Sequence, residues 1–196
     1  MQQNPQITHR LHHHRKGEQL RTNVSFEQNS KVHFTAVMVN ISRKGLFMPN
    51  LKWSKISHLQ LGKIAEYYAQ AEFLSYGFEI YDTVVDDRGI DFIARKNDEF
   101  FEIQVKAVRN YNYTFISESK MPHLCEKRLV CYMNFIDNES PITYVIPATA
   151  WINPNEVFTH KKYENGAEYG INFSRKNAHI LDDYIATNVL GTIKND

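Results

Sequence analysis

In the segment FFEIQVKAV, residues 100–108, Glu102, Gln104 and Lys106 alternate with bulky apolar residues. Alternate side chains of an extended strand share one face and stand about 6.5 to 7 Å apart. A carboxylate, an amide and an ammonium therefore line one face, and Phe101, Ile103, Val105 and Ala107 the other. A half-exposed strand of an antiparallel sheet would show the same alternation with no chemistry attached. Asp91 adds a second observation, because it sits between Ile90 and Phe92 in GIDFIA, where strand propensity disfavours an acid. A hairpin would set that segment beside residues 102–106, and a carboxylate among apolar neighbours calls for an ion pair or a cation. A plain Asp91–Lys106 salt bridge is the structural reading. The chemical reading is a magnesium site, in which the Asp91 carboxylate, the Gln104 amide oxygen and a backbone carbonyl act as hard oxygen donors and water completes the octahedron.

The elements that would position these residues surround them. SHLQLGKIAEYYAQAEFLSY, residues 57–76, places Leu61, Ile64, Ala65, Tyr68 and Ala71 on one helical stripe, with Ser57 as N-cap and Gly77 as stop. FEIYDTVV, GIDFIAR and FFEIQVKAV then read as three strands of an antiparallel meander. The turn material Asp86-Asp87-Arg88-Gly89 and Lys96-Asn97-Asp98-Glu99 separates them. KRLVCYMNFID and ITYVIPA supply two more β-rich runs that extend the sheet. SRKNAHILDDYIATNVL, residues 174–190, carries Ala178, Ile180, Leu181, Tyr184, Ile185 and Val189 at roughly helical spacing and is expected to close the fold as a helix.

With 196 residues, 42% of them hydrophobic, the chain suffices for one domain with a real core, expected over 48–196. Residues 1–47 are rich in Gln, Asn, Ser, His and Arg and hold one β-like patch, VHFTAVMVNI. They are expected to be a disordered basic leader or a non-native extension, with Met48 as a candidate native start. This leader carries seven Lys or Arg against two Asp or Glu, which leaves 16 against 20 for the remainder. Bulk charge of the main domain therefore gives no argument for a nucleic-acid partner, and any basic surface there must be local. No run of about 18 apolar residues and no secretory signal occurs, so a cytoplasmic protein without a membrane partner is expected. Cys125 and Cys131 fit neither a zinc pair nor a disulfide framework. His9 with His12, His13 and His14 reads as a solvated tail rather than a metal site, and His58, His123, His160 and His179 lack ligand spacing.

Taken in chain order, Glu66 in the helix, Asp91 in the hairpin, then Gln104 and Lys106 in IQVK resemble the PD-(D/E)XK nuclease superfamily over about residues 57–108. The chain looks most like small prokaryotic endonuclease-like proteins with an IQVK strand. The resemblance implies a restriction-endonuclease-like α/β core, a central mixed sheet of about five strands flanked by helices. It also implies a Mg2+-dependent endonuclease, with Mn2+ as a substitute, acting on DNA; from the reaction itself, cutting both strands with one site per chain would favour a homodimer. Asp91 would be the central metal ligand, Glu66 an assisting acid, Gln104 the second hairpin ligand, and Lys106 the group that orients water or neutralises phosphate charge. Ile90 stands where the family's proline is usual, and Gln104 where an acid is usual. A neutral amide binds a divalent ion less strongly and cannot take a proton, so a catalytically silent domain binding nucleic acid or a protein is the alternative. An unrelated α/β interaction protein with only an Asp91–Lys106 ion pair is a third reading. Glu102 is a supplementary ligand candidate. Arg109, in VRNYNYTF with Tyr111 and Tyr113, is the first candidate for DNA contact, although aromatic packing across strands is the commoner use of such a run.

Overall fold

The computed structural model describes residues 50–83 and 88–193. The expected leader, its apolar patch and its histidine cluster lie outside the described residues. Ser57 caps the first helix, α1 (His58–Ser75), through a reciprocal box in which Ser57 Oγ accepts from the Gln60 N–H and Gln60 Oε1 from the Ser57 N–H. Gly77, at φ 80°, ends it where a side chain would be strained. The stripe that α1 buries runs through Leu61, Ala65, Ala69 and Phe73, so the Ala71 expected on it is instead exposed. The 18-residue helix curls the stripe from Ala65 to Ala69, four residues on, as 3.6 residues per turn requires.

The expected meander is present as β1 (Glu79–Asp82), β2 (Phe92–Lys96) and β3 (Glu99–Arg109). Asn97 and Asp98, at φ 51° and 60°, form the tight turn between β2 and β3, a geometry that matches strand twist. β5 (Arg128–Phe135) and β6 (Ile142–Pro147) complete a mixed sheet in the order β1-β2-β3-β5-β6, with β3 and β5 parallel and every other pair antiparallel. The fold is therefore α/β with a central five-stranded mixed sheet flanked by helices. Among the described residues no helix is long and apolar enough to cross a membrane.

The crossover from β3 to β5 holds β4 (Thr114–Ser117), which pairs with a hairpin of β7 (Phe158–Tyr163) and β8 (Gly166–Ile171) in a second sheet ordered β4-β8-β7. The sequence reading lacked this sheet. The run FTHKKY reads as a solvated charge pair, and GAEYGI carries two glycines, so neither shows the alternation that marks a strand. The second sheet covers one face of the five-stranded sheet, burying Ile116, Phe158, Tyr169 and Ile171 against Val130, Tyr132 and Ile146. α1 covers the other face, where Phe73 meets Phe78 and Phe92 edge-to-face at ring separations of 5.1 and 5.7 Å. Sandwiched between two layers, every residue of β5 is buried.

The expected closing helix is broken. A 3-10 stretch (Ala178–Tyr184) is followed by an extended Ile185, which bridges to Tyr144, and then by α2 (Ala186–Leu190). The cause lies in packing: Ile180, Leu181, Tyr184 and Ile185 belong to the core under the second sheet, whereas Ala186, Val189 and Leu190 belong to the core under α1. One straight helix with one apolar stripe cannot serve both layers.

Removing the α1 cap tests the local part of this account. Ser57→Ala is expected to cost about 1 kcal/mol, read as a lower midpoint with unchanged slope in urea denaturation.

Candidate active site

The β2–β3 ladder is regular from Glu99 to Ile103 and then changes at Asp91. Phe92 is the partner of Ile103, yet the Asp91 N–H also reaches the Ile103 carbonyl at 2.8 Å, so two residues face one as in a β-bulge. The Asp91 side chain then does what the next backbone carbonyl would have done, its Oδ2 accepting from the Val105 N–H at 2.6 Å. Thr83 Oγ1 ties the same turn by donating to the carbonyls of Ile90 and Asp91 at 2.9 and 3.0 Å. The Asp91 carboxylate is thereby seated against the β3 backbone between Gln104 and Lys106. Asp91 was expected within a strand and stands instead just before β2.

Gln104 is 5% exposed, and among the described residues its Oε1 has no hydrogen-bond partner. A buried amide oxygen left unpaired costs about 1 to 3 kcal/mol, and it offers a ready site to a cation. Lys106, two residues on, is half-buried. The apolar face expected of β3 is also present, since Phe101 and Ile103 are buried in the core under α1 and Val105 and Ala107 pack against it. Cys131, the partner of Val105 on β5, has its thiol pushed well above its usual range, chiefly by burial and then by the negative charges of Asp91 and Glu72.

The other expected residues have different surroundings. Glu66 lies half-buried on α1 and pairs with Lys63 at 2.6 Å. Among the described residues no three His, Cys, Asp or Glu side chains gather at metal-binding range. The hard-oxygen donors on offer here are the Asp91 carboxylate, held by the Val105 N–H, and the orphaned Gln104 amide oxygen, donor types that fit a magnesium-like ion. Glu102 accepts from the Arg128 guanidinium at 2.7 Å. Arg109 fastens the start of α1 to the end of β3, donating to the carbonyls of Trp53 (2.9 Å), Ile56 (2.8 Å) and Ser57 (3.3 Å). Tyr111 and Tyr113 pack on Phe173 and Phe115.

Arg128 escaped the sequence reading. Buried to 5% exposure, it donates through Nη2 to the carbonyls of Arg88 (3.0 Å), Gly89 (2.9 Å) and Lys120 (2.9 Å). It therefore joins the turn before Asp91 to the β3–β5 crossover. Gly89, at φ 66°, lets the two meet: a Cβ there would stand 2.9 Å from Gln104 Nε2 and 3.1 Å from the Lys120 side chain. The lone sequence signal was an Arg at the start of an otherwise apolar run, where a cation must have partners. Beside this turn opens a cavity of about 920 Å³, walled by β1 to β3 and the crossover, with Ile90, Glu102 and Arg128 among its lining.

No family model matches the chain, and no curated protein matches it. Among solved structures it is similar to a Holliday junction resolvase, Hjc, from Archaeoglobus fulgidus, at 13% identity and a TM-score of 0.45 over 68% of this chain and 98% of that one. It is also similar to a bacterial homing endonuclease, at 15% identity and a TM-score of 0.39 over 60% of this chain and 77% of that one.

Truncating the clamp tests its positioning role. Arg128→Met is expected to lower stability by about 3 kcal/mol, since three carbonyls and Glu102 lose their donor. Arg128→Lys should recover only part of that loss, because an ammonium cannot span the same acceptors. Urea denaturation of both variants reads the difference.

Proposed function

We propose that the chain is a metal-dependent DNA endonuclease that hydrolyses phosphodiester bonds with water. The observation that carries this reading is the seating of Asp91: a bulge and the Val105 N–H hold its carboxylate at the β3 backbone, where the neighbouring Gln104 has a buried amide oxygen with no partner among the described residues and Lys106 follows on the other side. Such a bulge re-aims a side chain at a defined place on the sheet, and bulges are over-represented next to active sites. The resemblance of the ordered set Glu66, Asp91, Gln104 and Lys106 to the PD-(D/E)XK pattern supports it further.

In this reading Asp91 and Gln104 hold the ion, with Glu66 as an assisting acid from α1. When bound, Mg2+ supplies the Lewis-acid charge that phosphoryl transfer requires. The Asp91 oxygen held by Val105 is fixed in orientation before substrate arrives, so little reorganisation accompanies binding. Lys106 brings a positive charge to the scissile phosphate, and an N–H of its ammonium donates a hydrogen bond that orients the attacking water. Gln104 contributes a dipole only, so it orients without accepting a proton.

A second reading, a catalytically silent domain of this fold that binds nucleic acid or a protein, draws on the neutral Gln104 and on the lack of a three-acid cluster among the described residues. Nicking of supercoiled plasmid with Mg2+ or Mn2+, against a metal-free control, decides between them. The endonuclease reading expects metal-dependent nicking that Asp91→Ala and Lys106→Ala each reduce about 100-fold or more, with circular dichroism unchanged. Gln104→Glu should lower the metal concentration needed for half-maximal rate. Nicking by Lys106→Ala at the wild-type rate would overturn the catalytic assignment, and a folded wild type inert with both metals would establish the silent domain.

A further inference from the structure

The cavity beside Asp91 has a composition that the hydrolytic chemistry does not call on. Two aromatic rings, Tyr81 on β1 and Phe100 on β3, meet across β2 with centroids 6.5 Å apart, the Arg95 guanidinium 5.6 Å from the Phe100 ring, and they remain 45% and 54% exposed. Large rings left open side by side on a sheet face, while Phe73, Phe78 and Phe101 are packed away on the opposite one, mark a surface built to be covered. Ile90, Ile93 and Met121 continue the apolar lining. The described lining carries four basic residues, Arg88, Lys120, Lys127 and Arg128, against one acid, Glu102; Arg128 pairs with Glu102 and Lys127 with Glu99, so two positive charges remain in excess. In a main domain of net negative charge, this is a local basic surface of the kind that a nucleic-acid partner requires.

Exposed rings ringed by cations are the composition that takes up unpaired nucleotides, whose bases stack on the rings while their phosphates meet the charges. Size argues the same way. A cube of the cavity's volume would have an edge of roughly 10 Å, less than the roughly 12 Å width of the B-DNA major groove alone, so one or two nucleotides fit and a duplex does not. Position completes the argument: Ile90 of the lining adjoins Asp91, and Glu102 stands two residues before Gln104 on β3. The geometry points to a pocket for an unpaired nucleotide of the DNA substrate, next to the phosphate to be cut. This inference rests on the nuclease reading for the substrate's identity, and it names the substrate class: single strands, or duplexes carrying an unpaired or extruded nucleotide.

Cys125 lines the cavity and is exposed, whereas Cys131, the other cysteine, is buried with its thiol pushed up by burial. Alkylation of Cys125 in the full chain, followed by mass spectrometry, is therefore a built-in report of occupancy. With a chelator present, a short single strand and a duplex with one unpaired nucleotide are each expected to slow alkylation about ten-fold, and the perfect duplex to leave it unchanged. Tyr81→Ala with Phe100→Ala should abolish the protection, while Phe100→Trp, which keeps a ring face, should retain it. Equal protection by the perfect duplex, no protection by any DNA, or protection that survives the double alanine variant would overturn the pocket. Because no metal is present, this outcome is separate from nicking: protection without cleavage sinks the nuclease reading alone, and cleavage without selective protection sinks the pocket alone.

Discussion

The site depends on one substitution of partners in a hydrogen-bond ladder. Where β2 should offer β3 another carbonyl, a bulge withdraws the backbone and the Asp91 carboxylate takes the Val105 N–H in its place. An N–H inside a sheet must be satisfied, so the strand itself enforces the orientation of the acid. The Arg88–Ile90 turn that precedes this contact contributes Arg88 and Ile90 to the wall of the cavity. Charge placement and cavity wall thus meet at a local failure of strand pairing.

Two arginines hold the frame around that failure. Arg109 secures the entry to α1 and Arg128 the turn before Asp91, each by spreading the donors of one guanidinium over several backbone carbonyls. This is a use for which Arg is suited and Lys is not, because five N–H groups lie in a rigid fork. In the sequence, the place of Arg109 in an aromatic, basic run makes it a candidate nucleic-acid contact. Composition carries no information on whether a guanidinium faces solvent or backbone, and the helix start it grips lies about 50 residues away in the chain.

What the sequence disclosed follows the range of the interactions involved. α1, with its Ser57 cap and Gly77 stop, and the meander with its Asn97-Asp98 turn are specified by residues close together, and they were legible. So was the two-faced character of β3. The second sheet was not, because β4 joins β8 across more than 40 residues and its strands carry Lys161, Lys162 and two glycines in place of a clean alternation. The bulge at Asp91 is likewise invisible in a pattern of period two, as is the burial of Gln104 on a face expected to be polar.

The broken closing segment has a consequence for how the molecule holds together. Its first half fills the layer beneath the three-stranded sheet and its second half the layer beneath α1, with Ile185 stitched to Tyr144 at the crossing. Neither hydrophobic layer can loosen without tugging the clasp that seals its counterpart. Thermal melting should accordingly register a single cooperative transition, with calorimetric and van't Hoff enthalpies in agreement, despite the presence of two separate cores.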